Sequence, residues 1–100
     1  MNLSGIKIYP AEIERVLEGD PAVKTAAAFA LRSAVHGEIP VVAVEWQGDA
    51  RPDVAALLSR ARALLGVRAP RKIVLVDALP RTPAGKVARR ELARIVEATR

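Results

Sequence analysis

The residues best suited to chemistry form a short run near the C-terminus, Thr82-Pro83-Ala84-Gly85-Lys86. Pro80 and Pro83 brace this loop. Gly85 allows a tight turn and close backbone approach to a ligand. Lys86 then offers a compact positive charge on a long flexible arm, suited to a phosphate or a carboxylate. The pattern predicts a last helix from about Lys86 to Ala98. The ammonium would therefore stand at a helix start, where free N–H groups and the dipole also favour anions. Arg81, Arg89 and Arg90 strengthen the local field. The same residues also fit an ordinary helix-start loop with a solvated lysine, and local physics leaves both readings open. The pattern G-x-x-x-x-G-K-[ST] is not present, so this is not a P-loop.

Other candidate chemistries are thinner. Ser4-Gly5 before the first strand reads as a turn, with a functional role as the rarer alternative. Glu12 and Glu14 lie two apart on a predicted helix and so do not face each other. They read as residues that complement the helix dipole rather than as an acid/base pair. The single His36 falls in a polar loop and reads as a surface histidine, so no Ser/His/Asp arrangement can be argued. Cysteine is absent, which excludes disulfides, thiol nucleophiles and Fe–S clusters, and no metal site is predicted.

The charge is uneven. The chain of 100 residues carries a formal net charge of +5. Residues 1–50 are net −3 and residues 51–100 are net +8. A basic half points to an anionic partner, such as a nucleotide, a phosphorylated cofactor, a nucleic acid or an acidic protein surface. A solvated basic face in an arginine-rich chain is the plainer reading. Aromatic residues make up 3%, which argues against the base-stacking platforms of single-strand binders, so no nucleic-acid partner is expected. No apolar run approaches the length of a membrane span, and no leader pattern stands at the N-terminus, which makes the cytosol the expected compartment.

The elements that must carry these residues can be read in turn. Ile6 to Tyr9 alternate as a short strand. Pro10 opens a helix of about nine residues, with Ile13, Val16 and Leu17 on one face and a stop at Gly19-Asp20-Pro21. Val23 to Leu31 fits helix by its alanines, but its short length and flanking turns favour a buried strand. Arg32 to Glu38 reads as a loop around Gly37, and Pro40 to Trp46 as a strand rich in β-branched residues. A second helix runs from about Asp53 to Leu65, closed by Gly66. Arg71 to Val76 is another strand, and Asp77 to Gly85 a punctuated loop. The order β-α-β-β-α-β-α predicts an α+β fold, a small mixed sheet with about three helices packed on it, in one domain spanning residues 1–100.

Three segments in this order resemble a known family. They are Ser4-Gly5-Ile6-Lys7-Ile8-Tyr9-Pro10-Ala11-Glu12-Ile13-Glu14, then Gly37-Glu38, then Pro70 with Leu79-Pro80-Arg81-Thr82-Pro83-Ala84-Gly85-Lys86-Val87-Ala88-Arg89-Arg90-Glu91-Leu92. Over roughly residues 3 to 95 the chain resembles the C-terminal, mobile lid domain of the adenylate-forming enzymes, in a form closer to the CoA-ligase branch than to the peptide-synthetase branch. The family departs from this sequence at Ile6, where it often has glycine or an aromatic, and at Arg68, where lysine is common.

The resemblance implies a two-step reaction. A carboxylic acid and ATP with Mg²⁺ give an acyl-adenylate and pyrophosphate. A thiol, from coenzyme A or a carrier protein's phosphopantetheine, then displaces AMP. It implies that Lys86 is the adenylation lysine, delivered by a loop in which Thr82 and Gly85 set its position. It places Ser4, Gly5 and Ile6 on the thiol side and makes Arg68 a phosphate contact. ATP and Mg²⁺ would be held mainly by a large N-terminal adenylation domain outside these 100 residues, acting in cis or in trans, and the 100 residues alone would be inactive. The second reading is a non-catalytic module whose basic half docks an acidic carrier protein or a separate ligase body.

Overall fold

The computed structural model describes all residues except Met1, Ser4, His36, Ala50, Thr99 and Arg100. Its elements are β1 (Asn2–Leu3), β2 (Ile6–Lys7), α1 (Pro10–Glu18), β3 (Val23–Ser33), β4 (Gly37–Trp46), α2 (Val54–Leu65), β5 (Lys72–Val76) and α3 (Arg89–Ala98). A 3₁₀ turn at Gly66–Arg68 follows α2. The expected α+β architecture is present, with a five-stranded mixed sheet and three helices. Strand β4 is central. It runs antiparallel to β3 along one side. Along the other it meets β1 at Gly37 and β5, in parallel, from Val41 to Glu45. Pro40, which has no N–H to give, falls in the gap between those two stretches of pairing.

Both faces of the sheet are covered, which explains the composition of its strands. Ala26, Ala28, Val42, Val44 and Ile73 pack with Ile13 and Leu17 of α1 and with Leu57, Ala61 and Leu65 of α2. Ala27, Phe29, Leu31, Val41 and Ala43 pack on the opposite face with Leu92 and Val96 of α3 and with Leu79. A strand buried on both faces reads as a continuous apolar run rather than an alternating one. That is why Val23–Leu31 admits a helical reading from its alanines. The strand reading holds, and it extends to Ser33.

Local chemistry sets the helix ends. Pro10 occupies the first turn of α1. Asp53 caps α2, its side chain accepting from the Ala56 N–H at 3.2 Å, and Gly66 ends α2 with φ +58°. Gly19 is the C-cap at which α1 stops, as expected. It stays right-handed, with φ −70°, so it does not stop α1 by a left-handed turn. Its lack of a side chain serves packing, because a Cβ there would lie 3.0 Å from Arg60 Nη2. No described helix is long and apolar enough to cross a membrane.

Three boundaries are corrected. An additional strand, β1, precedes Ile6–Lys7 and forms a hairpin with it. The expected loop at 32–38 shrinks, because Arg32 and Ser33 pair with Glu38 and Gly37 and extend both strands. The last helix begins at Arg89 rather than Lys86.

Candidate functional site

The late helix start follows from where the backbone bonds of residues 80–88 go. The Thr82 N–H donates to the Lys86 carbonyl at 2.7 Å, and the Gly85 N–H to the Thr82 carbonyl at 2.8 Å. Arg81 and Val87 form a β-bridge, and the Ala88 N–H donates to the Pro80 carbonyl at 2.8 Å. Residues 81–87 are thus a small hairpin, turned at Pro83-Ala84 and closed by Gly85 with φ +84°. Arg81 Nη1 donates to the Gly85 carbonyl at 3.2 Å and stiffens the turn. Lys86 therefore rides on a hairpin arm, three residues ahead of α3, and not on a helix N-terminus. Its side chain is exposed and, among the described residues, pairs with no carboxylate.

The arginines around it are used differently. Arg89 Nε donates to the Ala28 carbonyl at 3.1 Å, and its Nη2 to Glu14 Oε2 at 2.8 Å. Glu14 Oε2 also accepts from the Ala28 N–H at 2.8 Å, and Glu18 Oε2 from the Ala26 N–H at 3.0 Å. The glutamates of α1 thereby cover the open edge of β3 and tie the start of α3 to it. Glu14 is a cross-linking residue; it stands outside the first turn of α1, so the dipole role expected for it falls to Glu12 alone. Arg90 and Arg94 line an open cleft beside the hairpin together with Thr82, Val87 and Glu91.

At the other end of the sheet, Gly5 turns the β1–β2 hairpin with φ +87°, and nothing lies within 4 Å of where a Cβ would stand. Ser4 lies outside the described residues, as does His36. Ile6 lines an open cleft of about 460 Å³ with Leu3, Val67, Arg62 and Arg71. Arg62 and Arg71 are site-facing cations that sequence reasoning missed; only the general basicity of the second half hinted at them. Arg68 is placed elsewhere, its Nε 3.2 Å from Glu12 Oε1, in a contact that lacks hydrogen-bond alignment. Ile6 at one end and Thr82 and Val87 of the Lys86 hairpin at the other line different clefts.

Glu45 was also missed. It sits at the end of β4 on the α3 side, 7% exposed, and its Oε2 accepts from the Leu79 N–H at 2.9 Å. Its signal was an acidic residue inside an apolar strand, Val41-Val42-Ala43-Val44-Glu45-Trp46. Among the described residues, no three His, Asp or Glu side chains cluster as metal ligands.

The α+β domain raises Lys86, which pairs with no carboxylate among the described residues, on a braced hairpin, with a glycine hairpin and a basic cleft elsewhere. The family of the C-terminal domain of AMP-binding enzymes matches residues 12–86, and the chain belongs to it. It is 38% identical over 96 residues to a 2-succinylbenzoate–CoA ligase of Geobacillus kaustophilus, a match covering 95% of this chain and 20% of that protein. It is 37% identical over 93 residues to a fatty acid–[acyl-carrier-protein] ligase of Streptomyces coeruleorubidus, covering 90% and 18%. In structure it resembles an acyl-CoA synthetase of Brucella canis, with a TM-score of 0.86 and 30% identity over 99% of this chain and 19% of that one. The chain thus spans about a fifth of the length of the relatives it matches.

Proposed function

We propose that this domain serves a ligase that joins a carboxylic acid to a thiol through an acyl-adenylate, and that Lys86 assists the adenylation half. The exposed ammonium of Lys86, which pairs with no carboxylate among the described residues, on a stiff hairpin carries this reading. When a carboxylate attacks the α-phosphorus of ATP, two anions must converge. A cation aimed at the developing charge offsets their repulsion, and it acts more strongly where a neighbouring body excludes water. Thr82 and Gly85 hold the arm, since both enter the hydrogen bonds that close the turn. Among the described residues, no group of three His, Asp or Glu side chains could hold Mg²⁺. ATP and its magnesium, which supply the activated phosphorus, are therefore assigned to the adenylation body that this domain covers.

The thiol half is assigned to the other end of the domain. Gly5 presents bare backbone, which suits passage of a slim pantetheine arm. Ile6 provides an apolar wall, and Arg62 and Arg71 offer charge for phosphates. Ser4, next to Gly5 in sequence, is assigned to the thiol half with it. Arg68, held by Glu12, is a weaker candidate for phosphate contact. Coenzyme A and a carrier protein share the pantetheine thiol, so the same surface serves either acceptor.

The deciding experiment places this domain behind an adenylation body and changes Lys86 to Ala. Pyrophosphate exchange is expected to fall by about 100-fold or more, in line with loss of a transition-state charge partner. Thiol transfer from supplied acyl-adenylate is expected to persist. Unchanged exchange would refute the assignment of Lys86. The docking-module reading is tested by titrating the chain alone against an acidic carrier protein at low and high salt, where salt-sensitive binding is its signature.

A further inference from the structure

Glu45 is the one buried charged side chain among the described residues, and nothing in the proposed chemistry uses it. Its neighbours on that face of β4, Val41 and Ala43, are apolar and join the cluster with Leu79, Leu92 and Val96. A carboxylate taken out of water at such a position is unfavourable unless its partners compensate. The nearest cation does not explain it. Lys24 Nζ lies 3.6 Å from Oε1 and its side chain is 61% exposed, so that pair is weak. The strong partner is the Leu79 N–H, at 2.9 Å, in a charge-assisted hydrogen bond shielded from water.

Leu79 is the residue from which the Lys86 hairpin grows. Pro80 follows it and receives the Ala88 N–H, the Arg81–Val87 bridge comes next, and the Thr82–Lys86 bond completes the ladder. Each pairing fixes the one beyond it, so the position of Lys86 is referred back to Leu79 and from there to the central strand. We propose that Glu45 is a positioning residue: its carboxylate pins the root of the hairpin to β4 and so sets where the Lys86 ammonium arrives. This rests on the adenylation role proposed for Lys86. Reacting groups displaced by about 1 Å lose as much as 100-fold in rate, so loosening the root is expected to slow adenylation by about 10- to 100-fold.

The test compares Glu45→Leu, Glu45→Gln and Lys86→Ala in the ligase that carries this domain. Leucine fills the buried site but cannot accept the Leu79 N–H, whereas glutamine keeps a carbonyl acceptor. Three quantities are read: pyrophosphate exchange, thiol transfer from supplied acyl-adenylate, and hydrogen exchange of the Leu79, Thr82 and Gly85 amides. Support is a fall in pyrophosphate exchange for Glu45→Leu, with faster amide exchange at all three sites, intact thiol transfer, and recovery of most of the loss in Glu45→Gln. If Glu45→Leu loses both half-reactions equally, the residue is merely structural and the proposal is overturned. It is overturned too if Glu45→Leu leaves pyrophosphate exchange intact while Lys86→Ala abolishes it, a result that spares the role of Lys86. If Lys86→Ala is itself without effect, both proposals fall.

Discussion

The two hairpins of this domain turn on the same device, a glycine at φ +87° in one and +84° in the other, yet they are attached in opposite ways. Among the described residues, the β1–β2 hairpin joins the sheet through one strand pair, Leu3 with Gly37, through the buried Leu3 side chain, and through the Asn2 N–H donating to Glu38 Oε1 at 3.0 Å. The 81–87 hairpin is rooted at buried Leu79, on the buried carboxylate of Glu45, and runs into a helix packed by Leu92 and Val96. The difference matches what the proposed roles would ask of each end. Gly5 and Ile6 present backbone and an apolar wall, which act by shape. Lys86 presents a single charge, whose effect falls off with distance and must be aimed. A flexible lysine on a loose loop would spread its charge over many positions, so the stiffness resides in the stalk.

The two ends are told apart by which half-reaction a substitution at each one slows. In the ligase carrying this domain, Lys86→Ala is expected to lower pyrophosphate exchange by about 100-fold or more and to spare thiol transfer. Gly5→Ala is expected to do the reverse, slowing thiol transfer by about 10-fold, as expected for a modest misplacement at the thiol's path. A fall in the same half-reaction for both variants would remove the distinction between the two ends. Gly85→Ala sharpens it further. Space is open around both glycines, so an added methyl group meets only the left-handed backbone. Each substitution should lower stability by about 1–2 kcal/mol, read by urea unfolding. Equal losses of stability with opposite losses of activity would show that position, not strain, decides function.

Much of this was legible in the residues. Proline and glycine placement, apolar periodicity and β-branched runs give three helices and the main strands, and the Gly85-Lys86 run marks the cation. What was not legible depends on pairing across the fold. Asn2 and Leu3 are too few to show a strand pattern. Arg32, Ser33, Gly37 and Glu38 look like loop by composition but are drawn into the ladder by their neighbours. Lys86 to Ala88 read as helix because local propensity knows nothing of Pro80 and Thr82, whose bonds claim that backbone. Glu14 and Arg89 stand 75 positions apart, and no spacing rule links them.

That pair gives the largest expected loss of stability. Arg89→Ala removes a charge-assisted bond to Glu14 and a bond to the Ala28 carbonyl, and leaves Glu14, with 16% of its side chain exposed, short of a partner. The expected loss is about 1.5–3 kcal/mol, seen as a lower urea midpoint with an unchanged m-value. Glu14→Gln should lose less, because its amide oxygen still accepts from the Ala28 N–H.

The smallest effect is expected at Arg68, and it tests the thiol end. Arg68 and Glu12 are 43% and 34% exposed, and their contact at 3.2 Å lacks hydrogen-bond alignment. Such pairs contribute about 0–1 kcal/mol, so Arg68→Ala should barely move the unfolding midpoint. Its catalytic consequence is more informative. Arg62 and Arg71 line the cleft beside Ile6, whereas Arg68 faces Glu12. If the cleft receives the acceptor's phosphates, Arg62→Ala and Arg71→Ala should raise the KM for the thiol several-fold more than Arg68→Ala does, with pyrophosphate exchange unchanged in all three. A larger rise for Arg68→Ala would mean that the Glu12 contact opens when the acceptor arrives, and the phosphate contact would then move from the cleft to the 3₁₀ turn.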